Sequence, residues 1–166
     1  MLIPILMAAS AAPGHPAAAV VQPRPLATGI TNASANPAAI TFSATDPDTS
    51  PTVNGSASAV VAWTTTGGSA ARTWNLGVSA PATFSSCGTV PASAVKATCS
   101  AVAGGTAGAC GSATALSTTS TQIASGKEKA GNTNYSVTLT FTLSDSWKYI
   151  ASSSCSLSVS YTITAP

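Results

Sequence analysis

The sequence predicts an all-β protein: an antiparallel β-sandwich of about seven short strands, preceded by an extended arm. Three observations lead there. Residues 134–165 contain two long runs in which apolar and hydroxyl-bearing side chains alternate. No window repeats apolar residues at i, i+3, i+4 and i+7 over a useful length, so helix is minimal. Gly, Pro, Asn and Asp punctuate the remaining apolar stretches at short intervals, as turns between strands require.

In the first run Tyr135, Val137, Leu139, Phe141 and Leu143 alternate with Ser136, Thr138, Thr140 and Thr142. In the second, Cys155, Leu157, Val159, Tyr161 and Ile163 alternate with Ser156, Ser158, Ser160 and Thr162. A period of two puts one set on each face of a strand, so both runs are half-buried. With the connection SDSWKYIASSS between them they read as a C-terminal hairpin. Its apolar face needs a second sheet to cover it.

Upstream, residues 1–19 read as a signal peptide. An apolar run at residues 2–12 precedes Ala17-Ala18-Ala19, which suits a small-residue cleavage site, although no basic residue comes before Arg24. The other reading is an apolar arm. The run is too short to span a membrane, and no later segment is long enough. Residues 20–35 read as an extended N-terminal arm or linker, because Pro23 and Pro25 impose extended geometry. Val20, Val21, Leu26 and Ile30 are its candidate assembly residues. Residues 36–166 form the single sandwich domain.

Within that domain, Ile40, Phe42 and Ala44 mark a strand ending at the turn Asp46-Pro47-Asp48. A second is centred on Val61 and Trp63 and closes at Gly67-Gly68. Trp74, Leu76, Val78 and Ala80 mark a third; Val95, Ala97 and Cys99 mark a fourth. A weaker strand falls within residues 115–123. Residues 101–112 read as a loop of small residues, and residues 125–134 as an exposed, turn-prone loop.

Charged residues make up 6% of the chain, against roughly a quarter in an average soluble domain. The net charge is +2, and the bases Arg24, Arg72, Lys96, Lys127, Lys129 and Lys148 are scattered. That excludes a nucleic-acid footprint. A hydroxyl-rich surface with little charge repulsion suits an extracellular protein that packs against copies of itself.

The four cysteines Cys87, Cys99, Cys110 and Cys155 form an even set behind a leader, and two disulfides follow. Zinc is excluded by the lack of CxxC spacing and by the position of the only histidine, His15, in the leader. Strand parity favours Cys99–Cys155 with Cys87–Cys110. Proximity favours Cys99–Cys110 with Cys87–Cys155, and the ease of closing a small-residue loop leans toward it. Both remain open.

Without the leader the chain has no histidine, so histidine-based nucleophile activation and acid–base catalysis are excluded. The acids are Asp46, Asp48, Glu128 and Asp145, and Asp46 and Asp48 share one turn, which does not supply a carboxylate pair across a cleft. There is no GxSxG, SxxK, Walker or dinucleotide glycine motif. The expectation is no catalytic residue, no cofactor and no metal. The Asp46–Asp48 turn could offer calcium too few oxygens, and a plain turn is the better reading. Asn32, Asn54 and Asn134 begin formal glycosylation sequons that arise easily by chance in so Ser/Thr-rich a chain. Trp147 and Tyr149 flank Lys148 in the hairpin connection. They either form an adhesive, carbohydrate-stacking patch or fold back to plug one end of the sandwich.

The strand pattern, the segment Val60-Val61-Ala62-Trp63 and the cysteines resemble secreted bacterial immunoglobulin-like β-sandwiches. No cysteine precedes Trp63 and no tyrosine lies two residues before Cys155, so the resemblance is architectural. The chain also resembles fimbrial and pilin-like filament subunits, though Tyr161 is not penultimate as in chaperone–usher pilins. This likeness implies a secreted or cell-surface subunit that joins copies of itself through a donated arm. The leading expectation is therefore a non-enzymatic structural protein of a surface filament, a homopolymer that also meets other cell-surface components. The alternative is a monomeric secreted adhesin that binds glycans through Trp147 and Tyr149.

Overall fold

The computed structural model describes residues 21–23 (backbone only), 29–43, 46–85, 87–149 and 155–165. In chain order the strands are β1 Val21–Pro23, β2 Ile30–Asn36, β3 Ala39–Phe42, β4 Thr52–Asn54, β5 Ala59–Gly68 and β6 Thr73–Ser79. A 3-10 turn at Ala92–Ala94 leads into β7 Val95–Ala103, followed by β8 Thr106–Cys110 and β9 Thr114–Ala115. The chain closes with β10 Thr121–Lys127, β11 Gly131–Ser144, β12 Cys155–Ser158 and β13 Ser160–Thr164. The protein is all-β, as its alternation and turn chemistry dictate.

Two sheets form the sandwich. One runs β1-β13-β6-β10-β8, and the other β2-β5-β11-β7-β9 with β4 also on β11. A short ladder pairs β12 with β3. Every pairing is antiparallel except that of β1 with β13.

Strand β11 is the centre of the six-stranded sheet. Its first half lies against β5, with Tyr135 opposite Trp63 and Val137 opposite Val61. Where β5 ends, β4 takes over, with Leu143 opposite Val53. Its other edge pairs with β7 from Ser136 to Leu143. All five apolar side chains of its alternation are buried, and so are Cys155, Leu157, Val159, Tyr161 and Ile163. Each large side chain so buried contributes roughly 1.5–3 kcal/mol.

The expected C-terminal hairpin does not form. None of the described partners of β12 and β13 is β11: β12 pairs with β3, and β13 with β6 and β1. The two runs lie in different sheets and bury their faces in one shared core. Alternation fixes which face of a strand is apolar and is silent about its neighbour. A tight hairpin needs a loop of about two to five residues, and residues 145–154 are long enough to cross between sheets.

Two regions expected to be loops are structured. Within residues 101–112, β7 extends to Ala103 and β8 occupies Thr106–Cys110, with the chain turning at Gly104 (φ 85°) and Gly105 (φ 71°). Such backbone angles suit glycine. Residues 125–134 supply the end of β10 and the start of β11, and Glu128 between them is 2% exposed. Its backbone N–H donates to the Arg72 carbonyl, and its Oε2 accepts from the Ser69 N–H at 3.1 Å. Tertiary hydrogen bonds thus bury Glu128, while most of the segment around it, Lys127, Lys129 and Asn132 included, is exposed as its composition suggests.

At that same end Trp63, Trp74 and Tyr135 form an aromatic cluster. Trp63 and Tyr135 are stacked at 5.3 Å, and Trp74 meets Trp63 edge-on at 5.2 Å. The Tyr135 hydroxyl accepts from the Lys129 N–H at 2.9 Å.

Candidate functional site: an arm-bearing sheet edge and an exposed tryptophan

The segment expected to be one arm divides in two. Val21–Pro23 lies parallel to β13 at the edge of the five-stranded sheet, in the register Val21–Tyr161, Gln22–Thr162 and Pro23–Ile163. Proline lacks a donor N–H and is tolerated on an edge strand. Ile30–Asn36 instead pairs antiparallel with β5, and Ile30, Ala33 and Ala35 pack on the core. Ile30 thus sits in the sandwich body, because edge pairing and small packed side chains outweigh weak alternation here. Val20 and Leu26 lie outside the described residues.

The cysteines pair as Cys87–Cys155 and Cys99–Cys110, one of the two arrangements left open by the sequence. The first is buried, with Cys87 5% and Cys155 7% exposed, and ties the middle of the chain to β12. The second links β7 to β8 and so joins the two sheets at one edge.

Trp147 and Tyr149 differ in their surroundings. Tyr149 packs against the core, while Trp147 is 68% exposed. The indole Nε1–H of Trp147 donates to Asp48 Oδ1 at 3.2 Å, which fixes the ring beside the turn at Asp46. Asp46 is engaged locally, its Oδ1 accepting the Asp48 N–H at 3.0 Å. Among the described residues no group of three or more acids, histidines or cysteines could hold a metal ion.

A shallow groove of about 460 Å³ lies on the six-stranded sheet, lined by Asn32, Ala62, Thr64, Ala103, Asn134 and Ser136 among others. Asn32 (φ 52°) sits where β2 slips register against β5, and Thr64 Oγ1 donates to Asn134 Oδ1 at 2.8 Å. No sequence signal marks this groove, because its rim comes from strands joined only by sheet pairing. Two of the sequon asparagines meet there.

No known protein family, curated protein or solved structure matches this chain. Among the described residues no helix is long and apolar enough to cross a membrane.

Proposed function

We propose that this chain is a non-enzymatic, secreted structural protein, a subunit of an extracellular or cell-surface filament that joins its copies through β-strand contacts. The observation that carries the reading is the seat of β1 on β13. Three residues N-terminal to the sandwich body add to a sheet edge in defined register. An edge that takes its own arm can take the same arm from a second copy, because main-chain hydrogen bonds supply the affinity either way. Charge poverty favours such packing, since little repulsion opposes it. Two disulfides and an all-β frame suit life outside the cell. The acids support a non-enzymatic role: Asp48 and Asp46 are engaged in a turn contact, and Glu128 is buried against a backbone N–H.

The test places cysteines at a register pair, Gln22→Cys with Thr162→Cys. Purified, oxidised protein run without reductant should give a ladder of chains joined through the new pair. Monomers carrying only the internal link would overturn arm exchange.

One observation favours a second reading, a monomeric glycan-binding module. Trp147 presents an exposed ring whose N–H is already committed to Asp48, leaving its face free for stacking on a sugar. That reading expects a monodisperse monomer, and polysaccharide binding that disappears in Trp147→Ala.

A further inference from the structure

We infer that the Cys99–Cys110 disulfide is a redox latch. Its reduction releases β8 and opens the β10 edge of the five-stranded sheet, while Cys87–Cys155 keeps the sandwich folded. The inference is independent of how copies assemble.

The two disulfides differ in what surrounds them. Both sulfurs of Cys87–Cys155 belong to residues in the core cluster. In the other pair Cys99 is 8% exposed, but Cys110 is exposed. A thiol-class reductant can therefore reach Cys110 Sγ without unfolding the chain. Its thiolate attacks that sulfur, the Cys99 thiolate leaves and takes up a proton, and a mixed disulfide forms. A second thiol resolves the mixed disulfide. The protein gains two thiols, and two equivalents of reductant are oxidised to one disulfide.

Little besides the disulfide holds β8 down. All five of its residues are exposed, so the strand buries no apolar side chain of its own. Its ladder with β10 registers at Ala124–Cys110, Ser125–Ala109 and Lys127–Thr106, with a break in the last step. Ala107 has φ 51°, a left-handed backbone that costs a residue with a Cβ. A further hydrogen bond runs from the Gly111 N–H to the Ile123 carbonyl at 2.7 Å. A strand with few buried contacts belongs to the part of a fold that opens first. Beside it in the sheet lies β10, with Ile123 and Ala124 buried, and Gly108 approaches the indole of Trp74. Release of β8 bares the N–H and C=O groups along one side of β10, an edge competent for strand addition.

The experiment treats the full chain with a phosphine reductant and no denaturant, then alkylates, maps the modified cysteines and measures amide hydrogen exchange. Expected are alkylation at Cys99 and Cys110 only, unchanged far-UV circular dichroism, and exchange at residues 121–127 faster by about tenfold or more. A Cys99→Ser/Cys110→Ser protein, never exposed to reductant, should show the same faster exchange while remaining folded. The latch is overturned if neither disulfide reduces, or if both reduce together with loss of the β spectrum. It is equally overturned if Cys99 and Cys110 are alkylated while exchange at 121–127 stays unchanged.

Discussion

Trp147 donates its indole N–H to Asp48 although 99 positions separate them in the chain. The bond joins the connection after β11 to the turn before β4 and orients an otherwise exposed ring. Because both groups face solvent, Trp147→Ala should change stability by no more than about 0.5 kcal/mol. Asp48→Ala should leave the melting temperature similarly unmoved and increase the rotational freedom of the ring. Time-resolved fluorescence anisotropy of Trp147, with Trp63 and Trp74 as buried references, checks this.

Core tryptophans behave oppositely. Trp74→Ala removes a fully buried ring from the cluster with Trp63 and Tyr135, and the expected cost is about 3–5 kcal/mol. A subtler change is Gly126→Ala. A Cβ there would stand 2.6 Å from Trp74 Cζ2, so the ring or the strand must move. Overpacking of this kind costs about 1–3 kcal/mol, measurable as a lower urea midpoint.

Tyr161 is 1% exposed, its hydroxyl has no hydrogen-bond partner among the described residues, and burial pushes its ionisation well above the ordinary phenol value of 10.0. The folded state therefore keeps the proton to higher pH than the unfolded chain. The resulting stability is fully present below pH 10, and is lost as pH rises beyond it and the unfolded phenol ionises. Tyr161→Phe should flatten the alkaline fall in stability measured by urea titration. At neutral pH it should cost nothing or stabilise slightly, because the hydroxyl it removes lacks a partner.

The disulfides should differ in their worth to the fold. Cys87–Cys155 closes a separation of 68 residues and Cys99–Cys110 one of 11. Loop entropy alone assigns them about 4 and about 3 kcal/mol respectively. The gap should widen in practice, because serine at positions 87 and 155 puts two hydroxyls into the core, whereas of the other pair only position 99 is in it. Thermal melts of the two double-serine proteins test the order.

Much of this protein was legible in its residues. Alternation in 135–143 and 155–163 named ten core side chains, and all ten are buried. Absence of helical periodicity settled the all-β class. Side-chain alternation is a property of one strand, and it reads out directly which atoms leave water.

Partnership was not legible, because it depends on which backbones meet. Only the tertiary structure put β11 and β13 in different sheets, seated Val21–Pro23 on β13 and made Ile30–Asn36 part of the body. It also chose between two cysteine pairings that spacing left open. The hairpin connection shows the division most clearly. Alternation marked Trp147 and Tyr149 as unexplained by the strands, yet their separation into one core-packed ring and one exposed ring came from tertiary contacts. Asp48 and the core decide it, and neither is near them in sequence.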